Sequence, residues 1–190
     1  MSHNVKPLTW SGQAPVLETA RLRLRGRTLE DWPFSRDMWA DPDVTRFISG
    51  PLSEEDSWGK FLRSFGHWMA LGYGGWLVEE KQSGARLGEV GFMHYKRVMT
   101  PPVEPWPEMG WEFDKDAQGK GYATEAVLKA IEWGDAQFGG DPMICIISPQ
   151  NSGSIRVAEK CGFKNIRRAV YHDSEVLVFH RGEGASANAS

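Results

Sequence analysis

Cysteine is scarce in this sequence. Cys145 and Cys161 are the only two among 190 residues, with no C-x-x-C and no metal-ligand spacing. That argues against a disulfide-framed secreted scaffold and a zinc ribbon, and both side chains read as buried free thiols of a reducing compartment. No apolar run approaches the length that spans a bilayer, and Met1–Pro15 is polar, without the apolar h-region of a signal peptide. Charge of one sign is not in excess either. A net charge of -3 gives no reason to expect nucleic acid or an anionic membrane as partner. The histidines His3, His67, His172 and His180 lack ligand spacing, and no metal is expected. No repeat or linker divides the chain. What remains is a cytoplasmic protein of one domain, residues 17–181, with an N-terminal extension, 1–16, and a small polar tail, 182–190, expected to be disordered.

The sequence does contain the material of an ordinary globular core, with 41% hydrophobic and 25% charged residues. Nine tryptophans are many, and most are expected in core or pocket wall. Arg21–Arg25 alternates strictly and predicts a strand. Thr28-Leu-Glu-Asp31 is a capping box opening a helix to about Ala40, ended by Asp41-Pro-Asp. Ser53-Glu-Glu-Asp56 opens a second helix, on which Trp58, Phe61, Leu62, Phe65 and Met69 form one apolar stripe toward a core. Strand patterns follow at Gly75–Lys81 and Leu87–Arg97, joined by a turn at Gln82-Ser-Gly-Ala85.

A proline-rich loop, Thr100–Pro107, leads to a strand at Glu108–Asp114. A glycine-bearing turn and a helix come next, with Ala123, Ala126, Val127, Ala130, Gly134 and Phe138 on the buried side. Met143–Ser148 is apolar without alternation, as a strand covered on both faces would be. Strand, helix and strand make a right-handed βαβ unit with a parallel pair at about 108–114 and 143–148. A short helix at Asn151–Cys161, closed by Gly162 and backed by Phe163, precedes strands at Lys164–Val170 and Glu175–His180. The fold class is therefore α/β, with a mixed, mostly antiparallel sheet and about four helices.

The glycine-bearing turn carries the most information. A strand that ends in a loop holding Gly119 and Gly121 and feeds straight into a helix presents several unpaired N–H groups to one point, backed by the positive end of the helix dipole. This is an anion site, suited to a phosphate-bearing cofactor, and Gly121 keeps a Cβ out of the phosphate's way. A dinucleotide site needs a third glycine where Thr124 stands and an acid at the end of the next strand, which here reads Ser148-Pro149-Gln150. A P-loop needs Gly-Lys-Ser/Thr, which is absent.

What fits is Q-x-x-G-x-A from Gln118 to Ala123, followed by N-x-x-S at Asn151 and Ser154 and by Glu159-Lys-Cys-Gly-Phe163. With Leu17–Trp32 and the D-P-D-V of Asp41–Val44, the chain resembles the GNAT-type N-acetyltransferases over roughly Leu17–Arg181. Within them it resembles the group that includes the ribosomal-protein N-terminal acetyltransferases. The resemblance implies acetyl-CoA as donor. It places the pyrophosphate on backbone N–H groups from Gln118 through Gly119, Lys120, Gly121, Tyr122 and Ala123 to Thr124. It lays the pantetheine arm along Trp111–Phe113, where the parallel strands splay, with Asn151 as a hydrogen-bond partner. Lys120, Arg156 and Lys160 are candidates for the phosphates or plain surface charges.

Acetyl transfer to an amine needs a neutral nucleophile and a proton for the departing thiolate. Glu108 and Glu112 lie on one face of one strand and are the candidate bases. Glu108 is preferred because it matches a glutamate usual there in the resembling group, and Glu89 is a weaker third. The resembling family often has a tyrosine acid where this chain has Ala158, which turns attention to Ser154. Tyr122 and Tyr171 are poorer substitutes, and Tyr122 is expected beside the loop. His94 and Trp106 are candidates for contact with the acceptor, a primary amine of a small molecule or a protein N-terminus. Neither cysteine has an evident base, so transfer is expected to be direct. An acyl-CoA-binding sensor without turnover is the alternative, and a homodimer is compatible with the sequence.

Overall fold

A computed structural model describes residues 14–182. The N-terminal extension before Ala14 and the tail expected to be disordered, beyond Gly182, lie outside the described residues. Along the chain run β1 (Leu17–Glu18), β2 (Leu22–Arg25), α1 (Trp32–Ala40), α2 (Pro42–Thr45), α3 (Glu54–Leu71), β3 (Gly75–Glu80), β4 (Arg86–Met93), β5 (Glu108–Phe113), α4 (Tyr122–Gln137), β6 (Met143–Ile147), α5 (Ser152–Lys160), β7 (Lys164–Tyr171) and β8 (Ser174–Arg181). The strands form one sheet in the order β1-β2-β3-β4-β5-β6-β8-β7. Among the described residues only β5 and β6 are parallel neighbours, joined by α4, as the strand–helix–strand pattern predicts.

The five helices among the described residues exceed the four expected by α2. Asp41 both ends α1 and caps the next turn, its side chain accepting a hydrogen bond from the Asp43 N–H, so Asp41-Pro-Asp restarts a helix as well as stopping one. Thr28 forms its capping box with Asp31, but over a 3₁₀ turn, Leu29–Asp31, that leads into α1. Asp31 is fully buried and accepts from Arg25 at 2.8 and 2.9 Å, from Arg86 Nε at 2.6 Å and from the Thr28 N–H at 2.8 Å. These bonds tie α1 to β2 and β4.

The expected stripe on α3 is rotated. Ser57, Phe61, Ser64, His67 and Trp68 are buried, whereas Trp58, Leu62 and Met69 are 39%, 44% and 74% exposed. Small serines bring the helix close to its neighbours, and the Ser64 hydroxyl, which donates to the Phe61 carbonyl at 2.6 Å, is satisfied without leaving the core. A count of apolar residues alone misses that. Trp68 in turn closes on Trp76 of β3 and Trp133 of α4 at centroid distances of 4.8 and 5.7 Å.

The two faces of β4 and β5 differ in chemistry. Val90, Phe92, Met109 and Phe113 join the core cluster under α4 with Ala126, Val127, Ala130 and Ile131. Ala123 and Phe138 pack at its edge and are only partly buried. A Cβ on Gly134 would stand 2.5 Å from Phe92 Cζ, so glycine sets how closely α4 approaches the sheet. The opposite face presents Glu89, Glu108, Gly110 and Glu112 toward α1 and α3.

Candidate active site

The β5–β6 ladder begins and ends at one pair, Glu108 opposite Ile144. Beyond it the strands diverge, and β5 is paired only with β4 as far as Phe113. A cleft of about 620 Å³ opens at this divergence, a volume typical of small-molecule sites. Its walls include Trp111–Phe113 of β5, the loop and first turn at 117–124, and the start of α5 at 150–154.

The loop is held from behind. Arg21 Nη1 donates to the Lys120 carbonyl at 3.0 Å, and Arg21 Nε donates to Glu125 at 2.7 Å. The Tyr122 hydroxyl donates to Glu80, and the Arg21 guanidinium lies 4.5 Å over the Tyr122 ring. Gln118 Nε2 donates to the Phe113 carbonyl at 3.1 Å, bracing the loop against β5. Lys115 Nζ pairs with Asp41 at 2.9 Å, clipping the far wall to the same turn. Gly119 and Gly121 have φ of 74° and 79°, and this left-handed backbone explains both glycines.

α4 therefore starts at Gly121 with no side chain capping it. The first intrahelical bond there is Glu125 N–H to the Gly121 carbonyl, so the amides of Tyr122, Ala123 and Thr124 have no partner within the helix. They line the cleft, with Arg156 and Lys160 along its rim. An elongated ligand with a diphosphate fits this arrangement: amides and helix dipole at one end, unpaired strand edge at the other.

The structure brings most of the expected residues together. Trp111, Glu112, Phe113, Gln118, Gly119, Gly121, Tyr122, Ala123, Thr124, Asn151 and Ser154 all line the cleft. Asn151 also caps α5, its Oδ1 accepting from the Ser154 N–H at 3.0 Å, which leaves its Nδ2 for other partners. Lys120 contributes its carbonyl to the Arg21 clamp, and its side chain is exposed. Ala158 is fully buried in the core.

Three expected residues lie elsewhere. Glu108 is 9% exposed and held by a bidentate pair from Arg97, with both bonds at 2.7 Å. That guanidinium is itself enclosed between the rings of Tyr95 and Tyr171. Glu108 does not line the cleft. Trp106 packs 5.5 Å from the imidazole of His180, away from the cleft lining. His94 stands just past β4, its N–H directed at His67 Nε2 at 3.5 Å.

Glu112 is the β5 carboxylate that lines the cleft, which also receives Asp43 of α2. Burial pushes its pKa above the ordinary value of 4.5, and the nearby cations Lys60 and Arg27 act in the opposite sense. Glu89, directly across the ladder, is committed to structure: it accepts from Trp39 Nε1 at 2.6 Å and pairs with Arg27. Arg46, Phe47 and Ile48 also line the cleft and were not singled out from sequence. The D-P-D-V motif just before them was the available signal, since Asp43 and Val44 share that wall.

Comparison with known proteins agrees with this geometry. The acetyltransferase (GNAT) domain family matches residues 21–164. The uncharacterized protein YkkB of Bacillus subtilis is 34% identical over 179 residues, covering 87% of this chain and 94% of its own. The uncharacterized N-acetyltransferase YnaD of the same organism is 27% identical over 149 residues, covering 78% of this chain and 82% of its own. A crystal structure of an acetyltransferase from Agrobacterium tumefaciens superposes with a TM-score of 0.79 at 30% identity, covering 94% of this chain and 99% of that one.

Proposed function

The chain belongs to the GNAT acetyltransferase family, and from that premise we propose that it moves an acetyl group from acetyl-CoA directly to a primary amine, with Glu112 as general base. When bound, acetyl-CoA supplies an activated thioester carbonyl and a thiolate leaving group. The amides of residues 122–124 and the dipole of α4 hold the diphosphate, and Arg156 and Lys160 add positive charge at the rim. The free edge of β5 at Trp111–Phe113 and Asn151 Nδ2 orient the pantetheine arm toward Glu112.

The observation that carries the reading is the contrast between two glutamates on one strand. Glu108 has both oxygens occupied by Arg97, whereas Glu112 opens on the cleft with no hydrogen bond or ion pair among the described residues. A base whose pKa is raised above the ordinary carboxylate value is the better proton acceptor. Glu112 takes the ammonium proton of the acceptor, the amine nitrogen bonds to the acetyl carbon, and the carbon–sulfur bond breaks. Ser154, on the same cleft, gives its proton to the departing thiolate and takes up the second proton of the attacking nitrogen, so the amide leaves neutral and the hydroxyl is restored. A cysteine acyl-enzyme has no support. Both thiols are buried, and burial pushes Cys161 up to about 11 and Cys145 well above its ordinary value.

The ribosomal L7/L12 α-N-protein acetyltransferase RimL and a spermidine N-acetyltransferase from Vibrio cholerae share the fold at 15% identity each. At that distance the likeness extends to the fold and leaves the acceptor open, so a place in the ribosomal group rests on the sequence motifs alone. Incubation with acetyl-CoA and a panel of primary amines, recording free thiol, tests the proposal. Amine-dependent thiol release and an acetylated amine are expected. Tight coenzyme A binding without thiol release from any amine would overturn it in favour of a sensor.

A further inference from the structure

The face of the sheet beneath α1 and α3 is crowded with charge, and nearly all of it is already matched. Arg27 pairs with Glu89, which also accepts from Trp39. Arg97 pairs with Glu108 through two bonds. Arg25 and Arg86 are both joined to Asp31. After these pairings Glu112 and Lys60 are left without an ion-pair partner among the described residues of this face, and Arg63, exposed on α3, has none either.

Glu112 lies on the cleft wall. Lys60 of α3 is a part-buried ammonium that makes no ion pair or hydrogen bond among the described residues and rests 3.8 Å over the ring of Trp39. Geometry brings them near without contact: Lys60 sits over Trp39, whose indole donates to Glu89, the ladder partner of Glu112, and Lys60 is not itself among the residues lining the cleft. Burial lowers the Lys60 pKa, the Glu112 charge opposes that shift, and Arg27, Arg63 and Arg97 reinforce it. Next to Glu112 on the same face of β5, a Cβ placed on Gly110 would meet nothing within 4 Å, so that stretch of strand leaves open space above it.

A separated pair of unmatched opposite charges beside an open floor selects a ligand with the complementary pair. We propose that the acceptor is an amine carrying a carboxylate, an amino acid or a close relative, with its amine directed to Glu112 and its carboxylate to Lys60. This rests on the acetyl-transfer reading and sharpens it. A polyamine would bring a second cation against Lys60, with Arg63 one turn further along α3, and is disfavoured by the same field. A neutral amine would leave the ammonium unmatched. Trp39 holds the Lys60 ammonium through its ring face, a contact that an incoming carboxylate need not break.

The test is a matched acceptor series with the full-length protein: an amino acid, its carboxamide, its decarboxylated amine, and spermidine, each assayed by thiol release. The wild type is expected to favour the free acid over the carboxamide and the decarboxylated amine by at least about tenfold in kcat/KM, and over spermidine by more. The preference should persist in Lys60→Arg, collapse toward unity in Lys60→Met, and reverse toward spermidine in Lys60→Glu. Equal turnover of acid and carboxamide by the wild type would overturn the assignment, as would a preference that survives Lys60→Met. The wild-type series decides even if a variant fails to fold. Turnover without preference defeats the carboxylate subsite alone, whereas silence from every amine defeats the transfer reading and this inference together.

Discussion

Glu89 and Glu112 stand directly opposite one another on β4 and β5. Two carboxylates so placed repel, and the pairing persists because cations lie near both, Arg27 against Glu89 and Lys60 and Arg27 in the field of Glu112. Glu89 is neutralised by Arg27 and anchored by Trp39, while Glu112 faces the cleft. The ladder thus sets a carboxylate held by partners beside one that faces the cleft.

Exchanging the roles of the two β5 glutamates by mutation separates base from brace. Glu112→Gln is expected to lower kcat by about 10²–10⁴-fold, the usual worth of a positioned base, and to leave coenzyme A affinity nearly unchanged. Glu108→Gln should act on stability, because it strands the partly buried Arg97, at a cost of roughly 3 kcal/mol. Thiol-release kinetics and urea denaturation of both variants check the pair.

Burial raises the Glu112 pKa above 4.5, and the base works ionised, so activity should fall as pH drops through that raised value. Nearby Lys60 favours the ionised form. Lys60→Met is therefore expected to move the acidic limb of the kcat/KM profile to higher pH. Using one amine for both proteins cancels the amine's own ionisation. A limb that stays put, or moves to lower pH, contradicts the assignment of that limb to Glu112.

Asp31 bears on folding alone. Arg25, the Thr28 N–H and Arg86 hold its carboxyl well below the ordinary 3.8 despite burial. A depressed folded pKa gives stability that is present above the unfolded value and lost as pH falls below it. Asp31→Asn should cost about 3–5 kcal/mol at neutral pH and flatten the acid side of the stability curve, measured by denaturant titration between pH 3 and 7.

Gly88 is a backbone constraint on the site. A Cβ there would collide with the Glu112 carbonyl and come within 2.8 Å of Phe113 Cα, the strand edge that faces the cleft. Gly88→Ala should displace β5 and raise KM for acetyl-CoA at least about tenfold, a loss of about 1.4 kcal/mol. Unaltered KM with a folded variant would show that β5 tolerates the shift.

How much of this was legible in the sequence depended on how local the signal was. The turn at Gly119–Gly121, the uncapped start of α4 and the Asn151 cap are local, and the pattern of residues predicts them with boundaries off by a residue or two. The parallel pair followed from spacing. The rotated face of α3 did not, because Ser57 and Ser64 hide in the core by bonding or packing at short range, which hydropathy does not register. The choice between Glu108 and Glu112 was also out of reach. It turns on Arg97, which the strand pattern at Leu87–Arg97 puts at a strand end, whereas β4 stops at Met93 and the segment beyond it brings Arg97 to Glu108. Likewise Arg21 read only as a strand residue, although it clamps the loop from 104 residues away at Glu125.

The account stands on the free amides at the start of α4 and the loop before it. Hydrogen–deuterium exchange of the wild-type protein with and without saturating coenzyme A tests this directly. Exchange across residues 119–124 is expected to slow at least about tenfold on binding, with weaker protection at 150–154. Binding that leaves 119–124 unprotected, or that protects a different segment, would contradict the account.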